Sequence, residues 1–463
     1  MFDTDSNNAR LAAFICEFDE KDLSAHARHH ATRAVLDTYA VTVAGAVEAG
    51  VRQLAQALPA LPEAGANATV GGRSYRADDA ALLIGTASHV LDYDDVSMIC
   101  VCHPSAPVLS AMTAAVAFGV VDKPVSGLAF LTALCVGTEV MIRTGQTMGF
   151  RHYELGFHPT STMGVLGATA AVARLGGLNT TQTAHALSIA ASMASGLRTN
   201  FGTMVKSLHV GLAAANALRA VQLARAGMDG ASDVFAQRGL LFGFSGAETD
   251  AWPDEVRLGQ PFVIEEPGFE QKRYPCCYML HKIIEASVAL QREHDLKLEQ
   301  LDTALVSLPV GGTRPLNHPY PLTGLHGKFS APYAVLASVA DGRVNLSSFL
   351  DESVLRTEIQ AKLRDVEVIE EGTASNAGSD LGNGPVTVSL NLRDGRTLSR
   401  TVTLAPGSPA DPITAEQLRG KWIDCFGHGK PQLGDARAAA LFEQGEQMDQ
   451  MASVQSWLSE VLR

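Results

Sequence analysis

The sequence is poor in charge. Only 18% of its 463 residues are Asp, Glu, Lys or Arg, while 46% are hydrophobic. That balance excludes a disordered chain and permits a large interior. The charge leans acidic, at a formal −13, which argues against nucleic acid as a partner. No run approaches 18 uninterrupted apolar residues, so no membrane span is expected. The opening MFDTDSNNAR lacks the basic start and apolar stretch of a secretory signal. Seven cysteines are present, an odd number, and none forms C-x-x-C. A reduced protein in the cytoplasm is the expectation.

Several catalytic signatures are also missing. There is no G-x-G-x-x-G at a strand–helix junction and no Walker lysine, which argues against a nucleotide. G-x-S-x-G is absent, so an α/β-hydrolase is not supported. Cys100-x-Cys102 and Cys276-Cys277 have the wrong spacing for an iron–sulfur cluster. His103, His158, His209 and His281 form no known zinc-ligand pair. Chemistry without metal or organic cofactor is therefore expected.

What is present is a long helical texture. Residues 8 to about 265 are rich in Ala, Leu and Gly, and runs such as TMGVLGATAAVARL (162–175) and VGLAAANALRAVQLARA (210–226) are apolar nearly all round. Such helices are buried on most sides, and small residues let neighbours approach closely. Gly176, Gly177 and Gly227 stand where helices would end. Beyond residue 262 the pattern changes. Residues 303–309, 386–392 and 397–404 alternate like strands, and Asp394-Gly395 between the last two marks a hairpin. A further strand is expected at 366–369, and helices at 331–341, 352–363 and 436–462. The fold class is mainly α: a large all-helical domain formed by both chain ends (1–266 and 406–463), with an inserted smaller α+β lid domain (267–405).

Five polar islands interrupt this background. The first, HVLDYDDVSMICVCHPSAP, gathers Asp92, Asp94, Asp95, His89 and His103. If residues 89–95 are helical, His89, Asp92 and Asp95 share one face, and His103-Pro104-Ser105 opens the next helix. The second, HYELGFHPTSTMG, puts His158 before Pro159, where a helix start would offer N–H groups to a carboxylate. The third, TNFGTMVKSLHVG, spaces Lys206 and His209 three apart. The fourth, KRYPCCYMLHK, carries Lys272, Tyr274, His281 and Lys282, and the fifth holds Lys328. Capping, packing and solvated surface charge are the plain readings of any one of these. Together they suit removal of a proton next to a carboxylate, which needs a tuned base and several donors on the enediolate.

The islands resemble those of the MmgE/PrpD family, which includes 2-methylcitrate dehydratase, cis-aconitate decarboxylase and iminodisuccinate epimerase. The resemblance rests on His89-x-x-Asp92-Tyr93-Asp94-Asp95, His103-Pro104-Ser105, Gly156-Phe157-His158-Pro159-Thr160-Ser161, Lys206-x-x-His209-x-Gly211, Tyr274-Pro275-x-Cys277 and Lys328-Phe329-Ser330. It implies a helical domain with an α+β lid, a homodimer and no cofactor. By motif, Asp92, His103, His158 and Lys206 match active-site positions, and His281 a lid histidine. The decarboxylases carry a threonine after the aspartate pair, where this chain has Val96 and then Ser97. The His152–Thr162 stretch is similar to the epimerase branch.

The expectation is a cofactor-free lyase acting on a small di- or tricarboxylate in a cleft between the domains. Lys206 or His103 moves the proton, Asp92 orients His103 and sets its tautomer, and Tyr153 is a candidate acid. His158, the helix starting at Pro159, Lys272 and Lys328 hold carboxylates, with His209, Tyr274 and His281 as further substrate-binding residues. Lyase is preferred because more of the family's named activities are lyases. A dicarboxylate epimerase is the alternative, and a catalytically silent carboxylate-binding protein is the alternative of another class.

Overall fold

A computed structural model describes residues 6–61, 73–236, 238–246, 257–372, 382 and 384–462. The chain is mainly α, with one small four-stranded sheet. It divides into two compact units. One comprises Met1–Arg198, Ser207–Phe269 and Thr414–Arg463; the other comprises Thr199–Lys206 and Glu270–Ile413.

The first unit is helical, and several of its helices start where a side chain satisfies an open N–H group. Ser24 and Ser126 cap the helices Ala25–Gly45 and Gly127–Met148, while Asn179 with Gln182 and Thr414 with Gln417 form capping boxes. Small residues then allow close packing. A Cβ placed on Gly137 would lie 2.8 Å from the Gly167 carbonyl oxygen, so Gly127–Met148 and Gly164–Leu175 touch backbone to backbone. The helix Gly127–Met148 is long and apolar enough to cross a bilayer, but 83% of that window is buried inside the protein. Its Glu139 accepts from Arg143 Nε and from the backbone N–H groups of Gly259 and Val263, as a core helix requires.

The helix Ala77–Val90 ends sooner than an extension through residue 95 would need. Asp92 adopts a left-handed backbone, φ 51°, and residues 91–104 form a turn that Ser97 and Cys102 close by exchanging backbone hydrogen bonds. The next helix, Ser105–Ala117, starts as expected, directly after His103-Pro104. The expected helix at Pro159 is one turn long, Pro159–Thr162, before the chain re-forms as Gly164–Leu175. A single turn sums few peptide dipoles, which weakens its expected part as an anion holder.

In the second unit the sheet order is β2-β1-β3-β4, with β1 Leu301–Pro309, β2 Val366–Glu371, β3 Val386–Leu392 and β4 Thr397–Val402. β1 runs parallel to β2 and antiparallel to β3, and β3–β4 is the hairpin around Asp394-Gly395, with Gly395 at φ 88°. Val306, Leu308, Val388 and Leu390 point into a core shared with the helices His281–His294 and Ala331–Asp341. The helix expected over 352–363 is broken into Asp351–Val354 and Thr357–Gln360. Arg356 holds Asp341 with both guanidinium arms and donates to the Ser353 carbonyl, and Gln360 donates to the Val354 carbonyl. The oxygens freed by the break are thereby satisfied. The C-terminal stretch is likewise split, into Asp435–Glu446 and Gln455–Leu462.

Candidate active site

The turn after Val90 brings a row of imidazoles onto carboxylates. His89, in the last turn of Ala77–Val90, places Nδ1 3.0 and 2.9 Å from the two carboxylate oxygens of Asp94. His103 places Nδ1 3.1 Å from Asp94 Oδ2 and Nε2 3.6 Å from Asp92 Oδ1. The His89 and His103 rings meet edge to face at 4.3 Å. On the other side of His89 lies His158, ring centroids 5.8 Å apart, and His158 Nδ1 is 3.1 Å from His209 Nδ1. His103, His89, His158 and His209 therefore form a continuous buried row.

Local structure fixes each member. The backbone N–H of His103 donates to Thr160 Oγ1, and the N–H of His158 to the Gly196 carbonyl. Ser161 Oγ donates to the His209 carbonyl. His152 Nε2 is 2.7 Å from Thr162 Oγ1, which ties Arg151–Glu154 to the short helix after His158.

The electrostatics separate three neighbouring carboxylates. Burial alone would raise Asp94, but the charges and hydrogen bonds of His103 and His89 outweigh it and hold the carboxyl well below its ordinary range. Asp94 is therefore an anion between two imidazoles. Asp95, equally buried, is pushed up to about 8 by desolvation, against the opposing hydrogen bonds of Ser105. Asp37 is also raised by burial, which the Lys421 ammonium 2.8 Å from its Oδ1 opposes. An anionic Asp94 3.1 Å from His103 Nδ1 favours a proton there, which points to Nε2, 3.6 Å from Asp92 Oδ1, as the atom to take or give one.

The arrangement corrects one assignment. Asp92 was expected to set the His103 tautomer. The chain reverses at Asp92, so Asp94 occupies the Nδ1 side and Asp92 faces Nε2 instead. Of the expected residues, Asp92, His103, His158 and His209 come together in the first unit. Tyr153 is instead enclosed by Phe150, stacked at 5.4 Å, and by the Arg198 guanidinium 3.9 Å from its ring centroid.

The other expected residues belong to the second unit. Lys206 is buried, with Nζ 5.2 Å from the Phe201 ring and 5.5 Å from that of Phe329. Lys328 Nζ donates to the Pro275 carbonyl at 2.6 Å, so one of its donors serves the backbone. Lys272 is fully buried. Tyr274 donates to Glu285 at 2.7 Å, and its phenol is raised by burial and then by that carboxylate. His281 opens its helix against the rings of Tyr274 and Tyr278, at 5.3 and 5.2 Å.

His89, Asp94, Asp37 and Lys421 were given no role by the sequence. The first two stand in the same motif, whose resemblance gives a role to Asp92 and His103 alone. Among the described residues, His89, Asp92, Asp94 and His103 also form the one cluster able to hold a metal ion, with ligand atoms within 4.8 Å of one another. Their donor set suits a divalent cation. In the structure their separations are those of an imidazole–carboxylate–imidazole relay.

Comparison with known proteins agrees with this motif set. Residues 9–251 match the MmgE/PrpD N-terminal domain and residues 274–444 match the MmgE/PrpD C-terminal domain. The chain is 29% identical over 355 residues to the cis-aconitate decarboxylase of Mus musculus, covering 74% of this chain and 70% of that protein. It is 29% identical over 435 residues to the cis-aconitate decarboxylase-like protein oryM of Aspergillus oryzae, covering 89% of each. It is 25% identical over 442 residues to the cis-aconitate decarboxylase of Aspergillus terreus, covering 90% of each. With both of the family's domains matched in order along one chain, this protein belongs to the MmgE/PrpD family.

Proposed function

We propose that the protein is a lyase acting on a small tricarboxylate by proton transfer at a carbon next to a carboxylate, with cis-aconitate the first substrate to try. The observation that carries this reading is the contact between His103 and Asp94, which leaves Nε2 as the proton-carrying atom. The activity named for its relatives supports the same class.

In a decarboxylation the C–C bond to one carboxylate breaks and CO2 departs. Its electron pair enters the remaining unsaturated acid and then takes a proton from His103 Nε2. In a dehydration Nε2 removes the proton, and hydroxide leaves the adjacent carbon as water once protonated. Asp94 stabilises the imidazolium in both cases. His158 and His209 offer donors to substrate carboxylates. Lys206 is proposed as a second proton carrier and Tyr153 as an acid. Lys272, Tyr274, His281 and Lys328 are proposed as substrate ligands; Lys272 rests on its place in the basic KRYPCCYMLHK island and the other five on motif grounds. A cytoplasmic homodimer is part of the proposal, and light scattering tests the dimer.

The test is NMR in D2O with cis-aconitate, 2-methylcitrate and iminodisuccinate. Alkene formation or loss, or CO2 release with one deuterium incorporated, supports a lyase, and H103Q and K206M should abolish it. Activity should survive dialysis against EDTA. Inversion of iminodisuccinate alone would replace the lyase with an epimerase. No turnover and no deuterium in any of the three would leave a binding protein.

A further inference from the structure

The turn bearing Asp92 and Asp94 is gripped from beneath by charges that the proposed chemistry does not use. Asp37 lies in the middle of the helix Ala25–Gly45 with no exposure. Lys421, from the helix Ala415–Gly429, is also buried, and its Nζ is 2.8 Å from Asp37 Oδ1. The same ammonium donates to the Tyr93 carbonyl at 2.8 Å and lies 3.8 Å from the Tyr93 ring centroid. Tyr93 is the residue between the two site aspartates.

A buried ion pair is weak evidence of a stability role, because a well-packed apolar pair often serves stability as well or better. Its better-attested use is to specify one geometry. Here the geometry is specific: Asp37 fixes the ammonium, the ammonium fixes the Tyr93 carbonyl, and the residues on either side of that carbonyl face the two nitrogens of His103. We propose that Lys421 is a positioning residue for the reaction, which through the Tyr93 carbonyl holds Asp92 and Asp94 in register with His103. This rests on the reading of His103 as the proton carrier.

The test compares D37N/K421M, K421R and C425A in the full chain. The double variant removes both charges together, so no lone carboxylate is left in the core. Cys425 is buried one turn further along the same helix and serves as the control for loosened packing. D37N/K421M is expected to lose at least tenfold in kcat with KM changed less than twofold. K421R should recover at least a third of the wild-type value, and C425A should stay within twofold. Should the double variant fail to fold, D37N/K421Q, which also removes both charges, takes its place with the same thresholds. Retention of kcat within twofold by the charge-removed variant, or an equal loss in C425A, overturns the proposal.

A second arm needs no substrate. Carbethoxylation of His103 by diethyl pyrocarbonate at pH 6, followed by peptide mass spectrometry, should be at least threefold faster in D37N/K421M than in wild type; an unchanged rate overturns the proposal. A changed rate with a wild type inactive on every carboxylate would sink the lyase reading and leave the positioning role standing. Unchanged kcat and rate with an active wild type would do the reverse.

Discussion

His103 and His89 share one carboxylate oxygen. Their Nδ1 atoms lie 3.1 and 2.9 Å from Asp94 Oδ2. An anion there keeps the proton of both rings on Nδ1. D94N replaces it with an amide that cannot hold both rings in that tautomer. We expect kcat to fall by ~10⁴-fold, the scale seen when a general base loses its orienting carboxylate. Turnover assays with ¹⁵N NMR of the imidazoles would check this. A D94N enzyme within tenfold of wild type would remove Asp94 from the mechanism.

Asp95 gives a pH dependence with a defined sign. Its folded pKa is about 8, whereas the unfolded chain restores it to roughly 3.9. Between those values the folded form keeps a proton that the unfolded form has released, so this carboxyl subtracts stability as pH rises. D95N copies the protonated acid toward the N–H and Oγ of Ser105, which both bond Asp95. The melting temperature of D95N relative to wild type should therefore climb from pH 5 to 8 and level off above that. A flat difference would mean that Asp95 is ionised throughout.

Gly211 sets how closely two site helices approach. A Cβ there would lie 2.2 Å from the Leu82 carbonyl oxygen and 2.6 Å from Thr86 Oγ1. G211A should cost about 1–3 kcal/mol in urea unfolding, the range for overpacking a tight contact. It should also lower kcat, because Met204–Arg225 carries His209 and Ala77–Val90 carries His89. Stability within about 0.5 kcal/mol of wild type would show that the helices can part without cost.

Breaking the Asp37–Lys421 pair from one side should be worse than removing it. K421M leaves Asp37 with only the more distant charge of Arg33, and a loss of about 3–5 kcal/mol is expected. D37N/K421M should regain most of it. Chemical denaturation of the two variants and wild type would decide, and equal losses would mean that the pair is not coupled.

Much of this fold is written locally. The alternating runs and Asp394-Gly395 announce β3 and β4, and the helix expected at 331–341 is found at Ala331–Asp341. Where tertiary bonds compete with periodicity the reading fails. Arg356 and Gln360 satisfy the broken helix near residue 355 through partners that spacing does not reveal. The site divides in the same way. Asp92, His103, His158 and His209 stand out as polar residues against an apolar background. Asp94 gains its place only because the backbone reverses at Asp92. Lys421 was hidden for a different reason: a lysine on an amphipathic helix resembles any solvated lysine until the fold buries it.

The bond from Lys421 to the Tyr93 carbonyl joins positions separated by 328 residues. During synthesis, then, the aspartate turn emerges long before the helix that braces it. The segment matched to the MmgE/PrpD N-terminal domain, residues 9–251, stops well short of that helix. Expressed by itself it would carry every histidine of the row yet leave Asp37 facing a vacant core. Truncation or circular permutation of this chain must keep residues 415–429 with the first hundred if the turn is to hold its shape.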